Sequence, residues 1–309
     1  MRLVGTLLIV GSLTTTASCD TYVGTRGSFA ETRTYLMDAP FPYYRVAKVE
    51  LYVVSVSASL VPDTSQSSTS FVTLAEPHRL INVLDLQNGK AEELGKMQLP
   101  EGTITAVRMI IDTDSSSLTL SDGRKLTSKT SPGIDWQSSA GRPVLNALIN
   151  DDILVSSNGG IVVIDYDVGQ AFIPRQELEP ASTDSSFIFS PVLRAADANR
   201  SGWITGTVRA KSLTGAPVAN ASLRLYLGQP GTDENTWIML GTATTDATGL
   251  FRFSMVPRSA YWEQIPIHAG KTYIVSADAP PSAVLGRTLV SNLSVLAAAG
   301  TETGTIVLP

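Results

Sequence analysis

From Tyr35 onward, apolar and small polar residues alternate along most of this chain with a period of two, the spacing of β-strands. In Val54-Ser55-Val56-Ser57-Ala58-Ser59-Leu60 the alternation is strict and puts Val54, Val56 and Leu60 on one buried face. After the turn signal Leu99-Pro100-Glu101-Gly102, residues 105–111 read as a second strand with Val107, Met109 and Ile111 on one side. Residues 118–126 read as a hairpin in which Asp122-Gly123 supplies the positive φ angles of a tight type I′ turn. A further strand pair flanks Ser157-Asn158-Gly159-Gly160, with residues 153–155 before it and 161–164 after. Residues 187–189 and 192–193 close this half, and only residues 90–97 read as a short helix. The strand pattern restarts at 203–208 and continues through 222–227, the turn and strand at 245–253, then 273–277 and 304–308. Many short strands separated by turns predict an all-β protein made of two β-sandwich domains.

The length of 309 residues agrees with two domains at roughly 100–200 residues each. The polar, aperiodic segment from Ala196 to Gly202 reads as the boundary, dividing residues 28–195 from 202–309. Charged residues are 17% of the chain, and Ser, Thr, Gly and Pro fill the gap, which favours turns and strands over long helices. Lys+Arg 23 against Asp+Glu 28 gives a net charge of −5, which argues against a nucleic-acid partner because phosphate binding needs clustered positive charge. A single Cys excludes an intrachain disulfide and a Cys-based zinc site, and two His leave little material for a His-rich one.

The N-terminus reads as an address. Met1-Arg2 precedes the apolar run Leu3-Val4-Gly5-Thr6-Leu7-Leu8-Ile9-Val10-Gly11-Ser12-Leu13, too short for a bilayer span and suited to a signal peptide. The small residues Thr14-Thr15-Thr16-Ala17-Ser18 then lead to Cys19, the only cysteine. This resembles the lipobox of bacterial lipoproteins, with Thr16 where Leu is commoner. The resemblance implies a signal peptide at 1–18, lipid attachment at Cys19 and a polar tether at 19–27. It also implies a membrane partner and a bacterial cell-envelope location, on the periplasmic side or the cell surface. The alternative is an ordinary secretory signal in which Cys19 has no special role. Asp20 resembles the inner-membrane retention signal of enteric-type bacteria.

Several landmarks further along resemble a bacterial lipoprotein domain of unknown function, the family numbered 4382. They are Leu36-Met37-Asp38-Ala39-Pro40, Asp85-Leu86-Gln87-Asn88-Gly89, Leu99-Pro100-Glu101-Gly102-Thr103, Asp165-Tyr166-Asp167 and Ser190-Pro191-Val192. The resemblance covers roughly residues 28–195 and implies a fold and a location but no activity. The second half resembles the carboxypeptidase regulatory-like, transthyretin-type β-sandwich. That likeness rests on Ile204-Thr205-Gly206-Thr207-Val208, Gly215-Ala216-Pro217-Val218, Thr244-Thr245-Asp246 with Gly249-Leu250-Phe251, and the final Gly304-Thr305-Ile306-Val307-Leu308. It implies scaffold positions, and some relatives of that fold bind polysaccharide.

Candidate chemistry is sparse. Asp112-Thr113-Asp114 starts like a calcium loop, but Ser117 and Gly123 stand where an EF-hand needs Gly and Glu. Asp165 and Asp167 read as one face of a strand, where they mark an exposed face or cap a turn; as a cation site they lack sufficient oxygen ligands. His78 and His268 show no metalloprotease spacing, and no nucleophile-elbow motif occurs. Trp203 is expected in the core, whereas Trp237 and Trp262, beside polar stretches, are the candidates for a ligand face, against a reading in which both are packed on neighbouring strands. The sequence therefore predicts a non-catalytic binding or scaffolding module with no cofactor and no metal. Its partner beyond the membrane would be polysaccharide or another envelope protein. The alternatives are a carbohydrate-binding surface lipoprotein using the second domain, and a hydrolase with a dispersed catalytic site.

Overall fold

The computed structural model describes residues 28–38, 46–60, 71–87, 89–137, 141–149, 151–178, 185–280 and 282–309. Cys19, with the signal and tether readings, lies outside them. The protein is all-β. In the first half the strands are β1 (Phe29–Asp38), β2 (Val46–Ser59), β3 (Phe71–Ala75), β4 (Arg79–Asn82), β5 (Glu92–Pro100), β6 (Gly102–Ile104), β7 (Ala106–Leu120), β8 (Lys125–Leu126), β9 (Ile134–Asp135), β10 (Val144–Ile149), β11 (Ile153–Val155), β12 (Gly160–Tyr166), β13 (Phe172–Pro174), β14 (Phe187–Phe189) and β15 (Leu193–Asp197). Short helices α1 (Val168–Ala171) and α2 (Arg175–Leu178) flank β13. The second half adds β16 (Ser201–Ala210), β17 (Ser222–Gly228), β18 (Ile238–Thr244), β19 (Leu250–Pro257), helix α3 (Ser259–Glu263), β20 (Thr272–Asp278), β21 (Thr288–Leu293) and β22 (Gly300–Leu308).

The first sandwich is one long sheet folded over itself, in the order β3-β2-β7-β10-β15-β12-β1-β5, with β4 on β2 and β8 on β7. Its end strands meet: a Cβ placed on Gly95 of β5 would lie 3.0 Å from the Ala75 methyl of β3. The enclosed core includes Leu36, Val49, Leu51, Val53, Met109, Ile111, Ile164 and Tyr166. A small sheet, β13-β14-β9, adds a cluster of Trp136, Phe172 and Phe189, with ring centroids 4.7–5.8 Å apart. The second sandwich packs β19-β16-β22 against β18-β17-β20-β21 around a separate core that includes Leu223, Leu225, Phe251, Phe253 and Ile306.

The period-two pattern finds the strands but not every pairing. Val107, Met109 and Ile111 are buried on one side of β7 as the pattern requires. In β2 a register shift between Val53 and Ser55 breaks the strict alternation, so Val53 and Val54 are both buried and Leu60 is only half-buried. The segment 90–97, expected to be helical, contributes to strand β5. It pairs antiparallel with β1, whose free edge supplies backbone partners that outweigh local helix propensity. The Asp122-Gly123 hairpin forms with a three-residue loop: Leu120 donates to the Arg124 carbonyl at 2.8 Å, and only Gly123 has positive φ, at 87°. That is a type I turn closed by a glycine bulge rather than type I′. The turn at 156–159 also forms, but its flanking segments diverge: β11 pairs with β6, and β12 with β1 and β15.

The segment 196–202, read from sequence as the boundary, is a pinned turn. Buried Asp197 ends β15 and accepts hydrogen bonds from Asn199 N (2.9 Å) and Leu154 N (3.2 Å); Ser201, which starts β16, is also buried. The polar composition of this turn reflects a shared ion cluster. Asp151, 4% exposed, accepts Arg258 Nε at 2.9 Å from the second sandwich, and its other oxygen lies 3.2 Å from Arg200 Nη2 in the turn itself. Removing one partner of a buried ion pair costs about 3–5 kcal/mol, because the remaining charge is left uncompensated. The wild-type chain should therefore resist trypsin at the Arg200-Ser201 bond, whereas Asp151→Ala should be cut there and melt at a lower temperature. Mass spectrometry of the fragments checks this, and equal protection of both proteins would refute the clasp.

Candidate functional site

Neighbouring strands bring together residues far apart in sequence. β1 runs parallel to β12, with Met37 beside Asp165 and Asp38 beside Tyr166; β12 runs antiparallel to β15, with Asp165 opposite Arg194. Along β12 the alternation turns Ile164 and Tyr166 into the core and leaves Asp165 half-buried on the outer face. On β19 the same rule buries Phe251 and Phe253 and turns Arg252 and Ser254 outward. These two outer faces meet across a small open crevice with a cavity volume of about 40 Å³. Asp38, Gly89, Asp165 and Arg194 line one wall, and Arg252 and Ser254 stand on the other.

The first wall is rich in carboxylates. Asp38 is 3% exposed and accepts from Val168 N at 3.2 Å and Gln87 Nε2 at 3.4 Å. Burial pushes its carboxyl well above the ordinary value, and the charges of Asp165 and Asp167 push the same way. Asp167 is fully buried just beyond the end of β12. It caps α1 by accepting from Gln170 N at 3.1 Å and lies 3.5 Å from the Arg194 guanidinium. It does not share a strand face with Asp165 as the sequence suggested, and neither residue is on a freely exposed face. Burial raises the Asp165 carboxyl to about 7; Arg194 opposes the shift and Asp167 adds to it. The Tyr166 hydroxyl is buried and has no hydrogen-bond partner among the described residues.

The second wall presents a fixed cation. Arg252 lies over the Trp203 ring, 4.6 Å from its centroid, and its Nε donates to Ser254 Oγ at 3.2 Å. Gly89 presses against it from the first sandwich: a Cβ there would sit 2.8 Å from Arg252 Nε. Trp203, expected in the core, is half-buried as the platform of this cation. Burial lowers the Arg252 pKa.

The structure thus brings Asp38, Gly89 and Asp165 from three separate sequence landmarks to one crevice, with Gln87 bonded to Asp38 and buried Asp167 acting on it electrostatically. Asn88 lies outside the described residues. Arg194 and Arg252 belong to no local motif, and only strand pairing and domain packing reveal them. The aromatic candidates lie elsewhere. Trp262 is buried, donates Nε1–H to Tyr273 Oη at 2.6 Å and packs edge-on to Tyr261 and His268, so its ring is part of the core rather than a ligand face. Trp237 is half-buried against Tyr226 and donates Nε1–H to Thr232 Oγ1 at 3.1 Å. His78 is exposed, and His268 contacts Lys271 Nζ at 3.4 Å. Asp112 pairs with Arg142 at 3.0 Å and caps Ser115. Among the described residues, no group of three or more His, Cys, Asp or Glu is placed to hold a metal, and no helix is long and apolar enough to cross a membrane.

Residues 29–179 match a family model described as a domain of unknown function (DUF4382). The match stops short of β14 and β15, although β15 lies between β10 and β12 in the main sheet. No curated protein matches the chain. Among solved structures, the chain is similar to a 9R-lipoxygenase from Cyanothece (16% identity, 36% of this chain and 17% of that one, TM-score 0.23). It is also similar to the Bacillus anthracis TIE protein (11%, 90% and 40%, TM-score 0.24). A third similarity is to the minor pilin GBS52 of Streptococcus agalactiae (10%, 90% and 95%, TM-score 0.23). The chain spans less than half the length of the first two.

The acidic wall makes stability depend on pH. Asp165 has a folded pKa of about 7, against about 3.9 for a free Asp. Between those values the native state holds a proton that the unfolded chain has released. Stability therefore falls as pH rises from about 4 to 7 and levels off above that. Asp38 acts with the same sign. Wild type should lose more stability than Asp165→Asn between pH 5 and 7.5, as read from urea midpoints; identical profiles would contradict the shift.

Proposed function

We propose that this protein is a non-catalytic binding and scaffolding module of the bacterial cell envelope, anchored to a membrane by lipid on Cys19. One observation carries the binding role: Asp151 pins two sandwiches together beside a polar crevice to which both contribute a wall. Small-ligand sites occur preferentially at such domain junctions. The anchor rests on the basic, apolar and small-residue run that ends in Cys19. Two or three acyl chains hold stably where one does not. The second sandwich is read as carboxypeptidase regulatory-like, a scaffold for the Arg252 wall. Neither histidine lines the crevice, which favours binding over hydrolysis there. The burial of Trp262 and the packing of Trp237 turn the ligand assignment away from a sugar-stacking face and towards the charged crevice.

In a bacterial host, wild type should fractionate with membranes and carry an acylated Cys19 by mass spectrometry of its N-terminus. Cys19→Ala should appear in the soluble fraction or remain unprocessed. An unmodified wild-type chain that still begins at Met1 would sink the anchored reading.

A further inference from the structure

The two walls of the crevice carry opposite charges that do not satisfy one another. Among the described residues, Asp165 accepts no hydrogen bond, and its nearest compensation, Arg194, is engaged by Asp167 at 3.5 Å. Across the crevice, the guanidinium of Arg252 has no carboxylate partner among the described residues. The Trp203 ring beneath it, Ser254 on Nε and Gly89 at its flank fix its position without neutralising it. A partly buried charge without a counter-charge is costly, so Asp165 holds its proton towards neutral pH while Arg252 stays uncompensated, and a ligand that brings a cation to one and an anion to the other completes both. Rigid placement also lowers the ordering cost of binding.

We propose that the crevice binds a small zwitterion, with its ammonium group on Asp165 and its carboxylate on Arg252. The chemical class is an amino acid or a close ω-amino homologue. Asp38, already hydrogen-bonded by Val168 and Gln87, shapes the ammonium end, and Ser254 holds the arginine. The assignment rests on reading the crevice as a binding site. It is independent of the anchor, whose fractionation result stands whether or not a zwitterion binds.

The test uses the full chain in detergent and a series of probes: glycine, β-alanine, 4-aminobutyrate and 6-aminohexanoate, with methylammonium and acetate as single-charge controls. One chain length should raise the melting temperature saturably by several degrees, because a ligand that binds only the native state stabilises it by mass action. Methylammonium and acetate, separately or mixed, should not. Asp165→Asn and Arg252→Gln should each weaken binding at least tenfold by calorimetry, and Arg252→Lys should restore part of the loss. If Arg252→Gln fails to fold without its contact to Trp203, Asp165→Asn decides alone. No response to any probe at millimolar concentration would overturn the proposal. So would a response that survives Asp165→Asn, or one that acetate alone reproduces.

Discussion

A single buried carboxylate organises the relation between the two halves of this molecule. Asp151 sits in the loop between β10 and β11 and holds Arg258 at the start of α3 and Arg200 in the connecting turn. Neither arginine is deeply buried, yet their shared partner is, so water screens the interaction less than it would a surface pair. The turn leads directly to the crevice: β15, which carries Arg194, and β19, which carries Arg252, both border it, and the turn between β15 and β16 joins the two sandwiches beside them.

Much of the fold was legible because β-structure writes itself into alternation. Val107, Met109 and Ile111 declare a buried face, and so do Leu223 and Leu225. What stayed hidden was pairing. Residues 90–97 have helical composition, and only the free edge of β1 makes them part of a strand. The turn at 156–159 looks like the tip of a hairpin, yet β11 and β12 belong to different sheets. The site followed the same logic. Asp38, Gly89 and Asp165 each stand within a recognisable landmark, but their meeting depends on a parallel β1–β12 pair formed across more than a hundred residues. Arg252 carried no sequence signal, because its meaning comes entirely from facing the other sandwich. The opposite error arose with Trp262, whose polar neighbourhood in sequence suggested exposure, while Tyr273 and His268 enclose it in space.

The crevice keeps an acid and a guanidinium apart, whereas several charges elsewhere are paired: Arg224 with Asp278, Arg287 with Glu234, Arg175 with Asp135. Along the first wall, Arg194 pairs with Asp167 and opposes the shift of Asp165, and Asp38 and Asp165 are driven towards their protonated forms. The wall therefore sheds charge by holding protons, while the arginine opposite keeps its own. This asymmetry makes the site responsive to whatever brings compensating charge into it.

The placement of β1 has a mechanical consequence. The strand lies between β5 and β12, and Asp38 at its far end borders the crevice. At about 3.3 Å per residue, that end is roughly 30 Å from Phe29, where β1 begins. A pull applied through the segment before Phe29 would run along β1, loading its hydrogen bonds to both neighbours in shear. Many bonds would resist together rather than opening one after another. Tension on that end of the protein would be spread through the first sheet before it reached Asp38, leaving the geometry of the crevice unstrained.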